Sequence, residues 1–145
     1  MNFHFIEAYF HKPSLIGSII PSSNYLAYVM LENLKLDISI LVEYGPGTGV
    51  FTKEFKKKYN HEKTEIILLE PYQPFAILLS KQFPDVKVLN IGAENVRSIG
   101  CTKKSKVDIV ISSLPFTTLN WKLSEKVIRD TYSILNDNGE FRTYL

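Results

Sequence analysis

After residue 36, short apolar runs alternate with segments whose apolar residues recur at helical spacing. Ile38–Tyr44 (ISILVEY) reads as a buried strand that ends in a glycine-rich turn. From Val50 to Tyr59, Phe51, Phe55 and Tyr59 fall at i, i+4 and i+8, a helix with one apolar stripe and lysines opposite. Thr64–Glu70 (TEIILLE) is a second buried strand. Pro74 suits the first turn of a helix carrying Phe75, Leu78, Leu79 and Phe83, and Pro84-Asp85 stops it. Val86–Ile91 is a third strand, followed by a short helix or turn near Glu94–Ile99. Gly100–Lys106 is a polar loop, and Val107–Ser112 (VDIVIS) a fourth strand. Leu123, Val127, Ile128, Thr131, Ile134 and Leu135 outline a long helix. The turn Asn136–Gly139 closes it, and a fifth strand occupies Glu140–Leu145.

The upstream part differs. Asn2–His11 carries Phe3, Phe5, Ile6, Tyr9 and Phe10, a short aromatic helix halted by Pro13. Leu15–Pro21 is an apolar connector, and Ser22 or Ser23 caps a helix with the stripe Tyr25, Leu26, Val29, Met30 and Leu34. Residues 1–36 therefore read as a helical lid segment, and 37–145 as one compact unit. Strands alternating with helices at this spacing predict an α/β fold, a doubly wound, Rossmann-like parallel sheet of about five strands.

A chain of 145 residues, 45% hydrophobic and 22% charged, suffices for one domain with a real core. A net charge of +2 and a pI near 8.6 are too weak to argue for nucleic acid. Lysines do cluster, at Lys53, Lys56, Lys57 and Lys58 and at Lys103, Lys104 and Lys106. Solvated faces explain both groups, with attraction to phosphate on lipid or RNA as the alternative. A lone cysteine, Cys101, makes no intrachain disulfide, which suits a reducing compartment. Neither a secretory signal nor an apolar run of about 18 residues is evident, so a cytoplasmic protein, at most peripheral to a membrane, is expected. No metal site is expected.

The strongest chemical signal is Glu43-Tyr44-Gly45-Pro46-Gly47-Thr48-Gly49, where the first strand turns into a helix. Glycines there let the backbone approach a ligand closely, and the helix N-terminus offers unpaired N–H groups. The spacing is G-x-G-x-G and not the G-x-G-x-x-G of dinucleotide sites, since Val50 stands at the third position. No Gly-Lys-Ser/Thr follows, which excludes a P-loop. Glu70 ends the second strand, on the sheet edge where open α/β folds bind ligands, and a carboxylate there can accept both hydroxyls of a ribose. Gly92-Ala93-Glu94-Asn95 follows the third strand, where an adenine could meet a backbone N–H; a helix N-terminal charge explains Glu94 equally well. Ser112-Ser113-Leu114-Pro115-Phe116 follows the fourth, with Phe116 able to lie against a planar or cationic group.

Taken together, these segments resemble the successive motifs of class I S-adenosylmethionine-dependent methyltransferases. The upstream G-S-I-I-P-S-S-N-Y-L-A, joined to V-E-Y-G-P-G-T-G-V-F-T and S-S-L-P-F, is similar to bacterial phospholipid N-methyltransferases, which modify phosphatidylethanolamine. The L-P-F segment also resembles the N-L-P-Y of ribosomal-RNA adenine dimethylases, with Ser113 where that family has asparagine. The resemblance implies S-adenosylmethionine as cofactor. Glu43, Tyr44, Gly45, Pro46, Gly47 and Gly49 would shape its methionine side, Glu70 and Pro71 its ribose, Ala93 and Glu94 its adenine. Ser112, Ser113, Leu114, Pro115 and Phe116 would form the acceptor side, with Ser112 also meeting the cofactor. The class usually ends with two further strands, whereas this sequence stops at Leu145. The fifth strand is then expected to be an edge able to pair with a second copy.

The acceptor follows from two opposed considerations. An ethanolamine-like amine is mostly protonated at neutral pH, as for a lysine-like pKa of about 10.4, and no histidine lies in the motifs to take the proton. An adenine amino group is already neutral and needs stacking and acceptors. Against that, Phe3, Phe5, Ile6, Tyr9 and Phe10 with Lys12 suit a lipid interface, or else a lid over the cofactor. A phospholipid amine is the expected acceptor and RNA adenine the alternative. A shortened, non-catalytic relative that binds cofactor or a protein partner is the reading of a different class.

Overall fold

The structure, a computed structural model, describes residues 24–35, 37–59, 61–100 and 106–144. The expected aromatic helix, the connector Leu15–Pro21 and the Ser22 or Ser23 cap lie outside them, as do Cys101 and residues 102–105 of the polar loop. Helix α1 spans 24–30, and is followed by β1 (Ile40–Tyr44), α2 (Val50–Lys58), β2 (Glu65–Leu69), α3 (Gln73–Gln82) and β3 (Lys87–Leu89). A 3-10 helix at Ala93–Ile99, β4 (Val107–Ser112), α4 (Trp121–Ile134) and β5 (Leu135–Thr143) complete the chain.

The five strands form one sheet in the order β3-β2-β1-β4-β5, every pairing parallel. All five residues of β1 are buried, as expected for a central strand covered on both faces. Alternation along the strands divides the core in two. Leu41, Ile66, Leu68, Ile109 and Ile111 pack with α1, α2 and α3 through Leu31, Phe55 and Leu79. Val42, Tyr44, Ile67, Leu69 and Val110 pack with the 3-10 helix and α4 through Val96 and Val127. The result is a three-layer α/β sandwich.

Three helical stripes sit differently from expectation. In α1 and the turn after it the core side is Ala27, Met30, Leu31 and Leu34, while Tyr25 and Val29 are 72% and 43% exposed. In α3, Ala76 and Leu79 face in, and Leu78 points to solvent. In α4, Ile128 is exposed, whereas Asp130 and Thr131 are buried. In both α1 and α3 a small residue, Ala27 or Ala76, is buried where a bulkier neighbour is exposed. The polar residues of α4 go in because they are bonded: Asp130 pairs with Lys126, and the Thr131 hydroxyl lies 2.8 Å from that of Tyr44.

The fifth strand also begins earlier than expected. The chain passes from α4 into β5 at Leu135, and the expected turn at Asn136–Gly139 becomes an irregularity inside the strand. Register runs Val107↔Leu135 and then Ile109↔Glu140, so β5 advances five residues against two of β4. Past it, Arg142 reaches back to α1, donating to the carbonyls of Met30 at 3.0 Å and Glu32 at 2.6 Å. Tyr59 donates to the Leu31 carbonyl beside them, and Asn33, at φ 55°, ends the turn in the left-handed conformation. Arg142 thus ties the last strand to the first described helix. Arg142→Ala, which frees those carbonyls and the Glu140 carboxylate, is expected to lower stability by about 1–3 kcal/mol. Urea denaturation followed by circular dichroism checks it.

Candidate functional site

Parallel pairing in register levels the strand ends. Tyr44 is opposite Leu69 and Ser112, Leu69 opposite Leu89, and Ser112 opposite Thr143. The residues that follow these ends, Gly45, Glu70, Asn90 and Ser113, stand on one edge of the sheet. Strand order reverses about β1, so this edge opens at the topological switch point, where ligands of open α/β sheets bind.

The turn after β1 depends on glycine. Gly45, Gly47 and Gly49 have φ of 63°, 56° and 81°, a left-handed conformation that side chains disfavour. Gly45 N–H donates to the Leu69 carbonyl and Gly49 N–H to that of Pro46, at 3.0 and 2.8 Å. The need at Gly49 is also steric. A Cβ there would lie 2.6 Å from the Phe83 ring and 2.9 Å from Leu79, so this glycine lets α3 pack against the turn. Pro46 and Gly47 are buried and Thr48 is exposed.

Two carboxylates lie beneath the turn, both fully buried. Glu70 receives Gly47 N–H on Oε2 at 3.0 Å and Tyr72 N–H on Oε1 at 2.8 Å. Glu43, on the α2 side of β1, receives the Thr52 hydroxyl on Oε2 at 2.5 Å. Its other oxygen, Oε1, is buried with no hydrogen-bond partner. Burial pushes the Glu43 carboxyl up from 4.5 to about 7; the Thr52 hydroxyl opposes the rise, and the nearby Glu70 charge adds to it. Burial also raises Glu70, opposed by the N–H groups of Tyr72 and Gly47.

The other expected residues divide between side-chain and backbone positions. The Tyr44 side chain crosses to the α4 side, leaving its carbonyl at the edge to accept from Ser113 N–H at 3.0 Å. Ala93 points into the core with Val96 and Ile99. Glu94 folds back over Gly92, where an added Cβ would lie 2.2 Å from its carboxylate, and the Glu94 carbonyl accepts from Lys126. Pro71 is half-buried. Ser112 is buried and its hydroxyl accepts from Leu114 N–H at 3.2 Å; Ser113, Leu114, Pro115 and Phe116 are half-buried. A Cβ on Gly45 would touch Leu114, so the glycine turn and the Ser112–Phe116 segment adjoin. Phe116 packs edge-on against Phe141 of β5, ring centroids 6.1 Å apart.

Two residues outside the expected set complete the arrangement. Thr52 anchors Glu43 from the first turn of α2. Asn90, just past β3, donates its side-chain amide to the carbonyls of Glu70 and Pro71 at 2.8 and 3.0 Å, fixing the chain beside the carboxylate. In the sequence they are a threonine in the first turn of a helix and an asparagine near a strand end, and no spacing identifies their partners. Among the described residues, no group of three or more His, Cys, Asp or Glu could hold a metal ion.

No protein-family model matches the sequence, and no curated protein matches it. Solved structures do. The chain is similar to the cyclopropane synthase MmaA2 from Mycobacterium tuberculosis, at 20% identity and a TM-score of 0.63, over 83% of this chain and 40% of that one. It is similar to the plantazolicin methyltransferase BamL in complex with a triazolic desmethylPZN analog and SAH, at 17% identity and 0.61, over 90% and 47%. A TehB-like SAM-dependent methyltransferase from Corynebacterium glutamicum matches at 14% and 0.61, over 90% and 72%. The chain spans less than half the length of the first two. At these identities the likeness is one of fold: the five-stranded parallel sheet with flanking helices is the Rossmann-like architecture of these methyltransferases.

The buried carboxylates set a pH dependence of stability. Glu43 holds its proton up to about pH 7 in the folded chain and to about 4.5 in the unfolded one, so folding takes up a proton between these values. Its contribution is complete below about 4.5 and is lost as pH rises through 7, and Glu70 acts in the same direction. The interval from 4.5 to about 7 corresponds to about 3 kcal/mol at most. Thermal unfolding is expected to shift several degrees lower between pH 5 and pH 8, and Glu43→Gln to flatten that slope.

Proposed function

We propose that this chain is the cofactor-binding part of an S-adenosylmethionine-dependent N-methyltransferase, acting on a phospholipid amine such as the phosphatidylethanolamine head group. The observation that carries the cofactor reading is the hydrogen bond from Gly47 N–H to Glu70, which joins the left-handed glycine turn to the carboxylate after β2. The residues present fit the cofactor. A turn with three left-handed glycines borders buried acids, one of them with an unfilled oxygen, and suits a polar, cationic ligand. Neighbours of the same fold include one in complex with SAH and one described as SAM-dependent.

In this reading the cofactor supplies a methyl group already activated on a sulfonium. The chain's own residues position the partners, an effect worth roughly 7–11 kcal/mol in favourable cases. Gly45, Pro46, Gly47 and Gly49 border the methionine end, and Glu43 and the Tyr44 backbone orient it. Glu70, held by Tyr72 N–H and clamped through its backbone by Asn90, keeps carboxylate lone pairs for the ribose hydroxyls. Pro71 continues that wall. Ala93 and Glu94 border the adenine. Ser112, Ser113 and the backbone of Leu114 and Pro115 offer acceptors to the substrate nitrogen, and Phe116 is the packing surface. Glu70 is fully buried, so binding requires this carboxylate to become accessible.

The phospholipid acceptor rests on the resemblance of the upstream and glycine-turn segments to bacterial phospholipid N-methyltransferases. An exposed aromatic and basic surface is compatible with it: Tyr25 and Tyr28 are exposed on α1, and the Lys58 ammonium lies 4.6 Å from the centre of the Tyr28 ring. Among the described residues no helix is long and apolar enough to cross a membrane. The competing acceptor is RNA adenine, whose neutral amino group suits a site with no histidine in its motifs; a putative rRNA-methylase from Clostridium thermocellum shares the fold.

Calorimetric titration with S-adenosylmethionine is expected to give one site per chain, and Glu70→Ala to weaken it roughly 10- to 100-fold through lost charge-assisted hydrogen bonds. Absence of binding by a folded chain would contradict the cofactor reading. Radiolabel transfer to phosphatidylethanolamine vesicles, with RNA as competitor, then separates the two acceptors.

A further inference from the structure

The two carboxylates beneath the glycine turn are satisfied unequally. Glu70 has a backbone N–H on each oxygen, whereas Glu43 has Thr52 on one oxygen and nothing on the other. Among the described residues, the elements around Glu43 withhold a positive charge. In β4 the residue opposite is Ile111, and in β2 it is Leu68. The inward face of α2 is Phe51, Thr52 and Phe55. Its Lys53 is exposed, Lys57 is paired with Glu54, Lys56 is turned to Asp85, and Lys58 lies over Tyr28. On that face of the sheet, α1 and the turn after it contribute the apolar Ala27, Met30 and Leu31. The charged group that does face Glu43 is another acid, Glu70.

A buried carboxylate with an unfilled oxygen and an acidic neighbour, but no cation, is costly to ionise. In the ligand-free chain the low-energy form is therefore the neutral acid, matching the raised value described above. Its Oε1 then holds a proton, or an unused lone pair, under a turn shaped for close approach.

We propose that the missing counter-charge arrives with the ligand: Glu43, already placed at the methionine end by the reading above, gives up its proton when the ammonium there binds beside its unfilled oxygen. This rests on the cofactor reading above and adds to it a proton stoichiometry. The balance is neutral Glu43 plus cationic ligand giving the Glu43 carboxylate paired with the ligand and one proton released to solvent. Departure of the ligand returns the proton. Glu43 is in this respect a specificity residue: it favours a ligand that carries positive charge at that end, and binding tightens as pH rises through the range in which the free acid holds its proton.

The test is calorimetric titration of the full chain with S-adenosylmethionine at pH 6.0, in two buffers of different ionisation enthalpy. The expected result is a heat that differs between buffers by nearly one proton released per ligand. Affinity should rise by up to about tenfold per pH unit below pH 7 and level off above it. Glu43→Gln, which keeps the shape and cannot release a proton, should give equal heats in both buffers. Should that variant fail to fold, carboxyl-carbon nuclear magnetic resonance of the unaltered chain reads the same quantity, with Glu43 protonated when free and ionised when bound. Binding with equal heats in both buffers, buffer dependence that survives in Glu43→Gln, or a Glu43 protonation state unchanged by ligand overturns this inference and leaves the cofactor reading standing. Absence of any binding by the folded chain overturns both.

Discussion

The arrangement depends on parallel hydrogen bonding around β1. Because β2 and β4 both pair with it in parallel and their last residues are level, segments far apart in sequence meet at one edge. The glycine turn is held there from both sides, by Gly45 N–H on the Leu69 carbonyl and by Ser113 N–H on that of Tyr44. A slip of β1 by one residue against its two neighbours would exchange the faces of all its side chains. Glu43 would lose Thr52 and Tyr44 would lose Thr131. The polar bonds on the two faces therefore specify the register that aligns the edge.

That edge is costly in isolation. Two acids are buried there beneath three glycines; burying the acids and ordering the glycines both oppose stability in a small domain. The cost is met locally for Glu70, whose oxygens take the N–H groups of Gly47 and Tyr72, and incompletely for Glu43. Unmet polar capacity among well-packed neighbours is a common mark of a binding site, and it joins the energetics of the turn to the proposed function.

Strand positions were legible because buried parallel strands are short unbroken apolar runs, and Val107–Ser112 was expected at its observed bounds. The glycine turn and Glu70 were legible because their order along the chain maps onto one edge. Helix faces were less so. Ala27 and Ala76 are buried, while Tyr25, Leu78 and Ile128 lie outside, since hydrophobicity does not reveal which of several adjacent apolar residues meets the sheet. The early start of β5 was hidden because Asn136–Gly139 has turn chemistry, and the structure accommodates it as a bulge beside Asp108. Thr52 and Asn90 were invisible for another reason: their roles depend on partners that only the fold brings near.

The central claim is that this edge holds a nucleoside cofactor between the glycine turn and Glu70. It is tested most directly by a crystal structure of the chain with S-adenosylhomocysteine. The account predicts the ribose hydroxyls within about 3 Å of the Glu70 carboxylate and the methionine end against Gly45–Gly49. A ligand bound elsewhere, with Glu70 still closed between Gly47 and Tyr72, would contradict it.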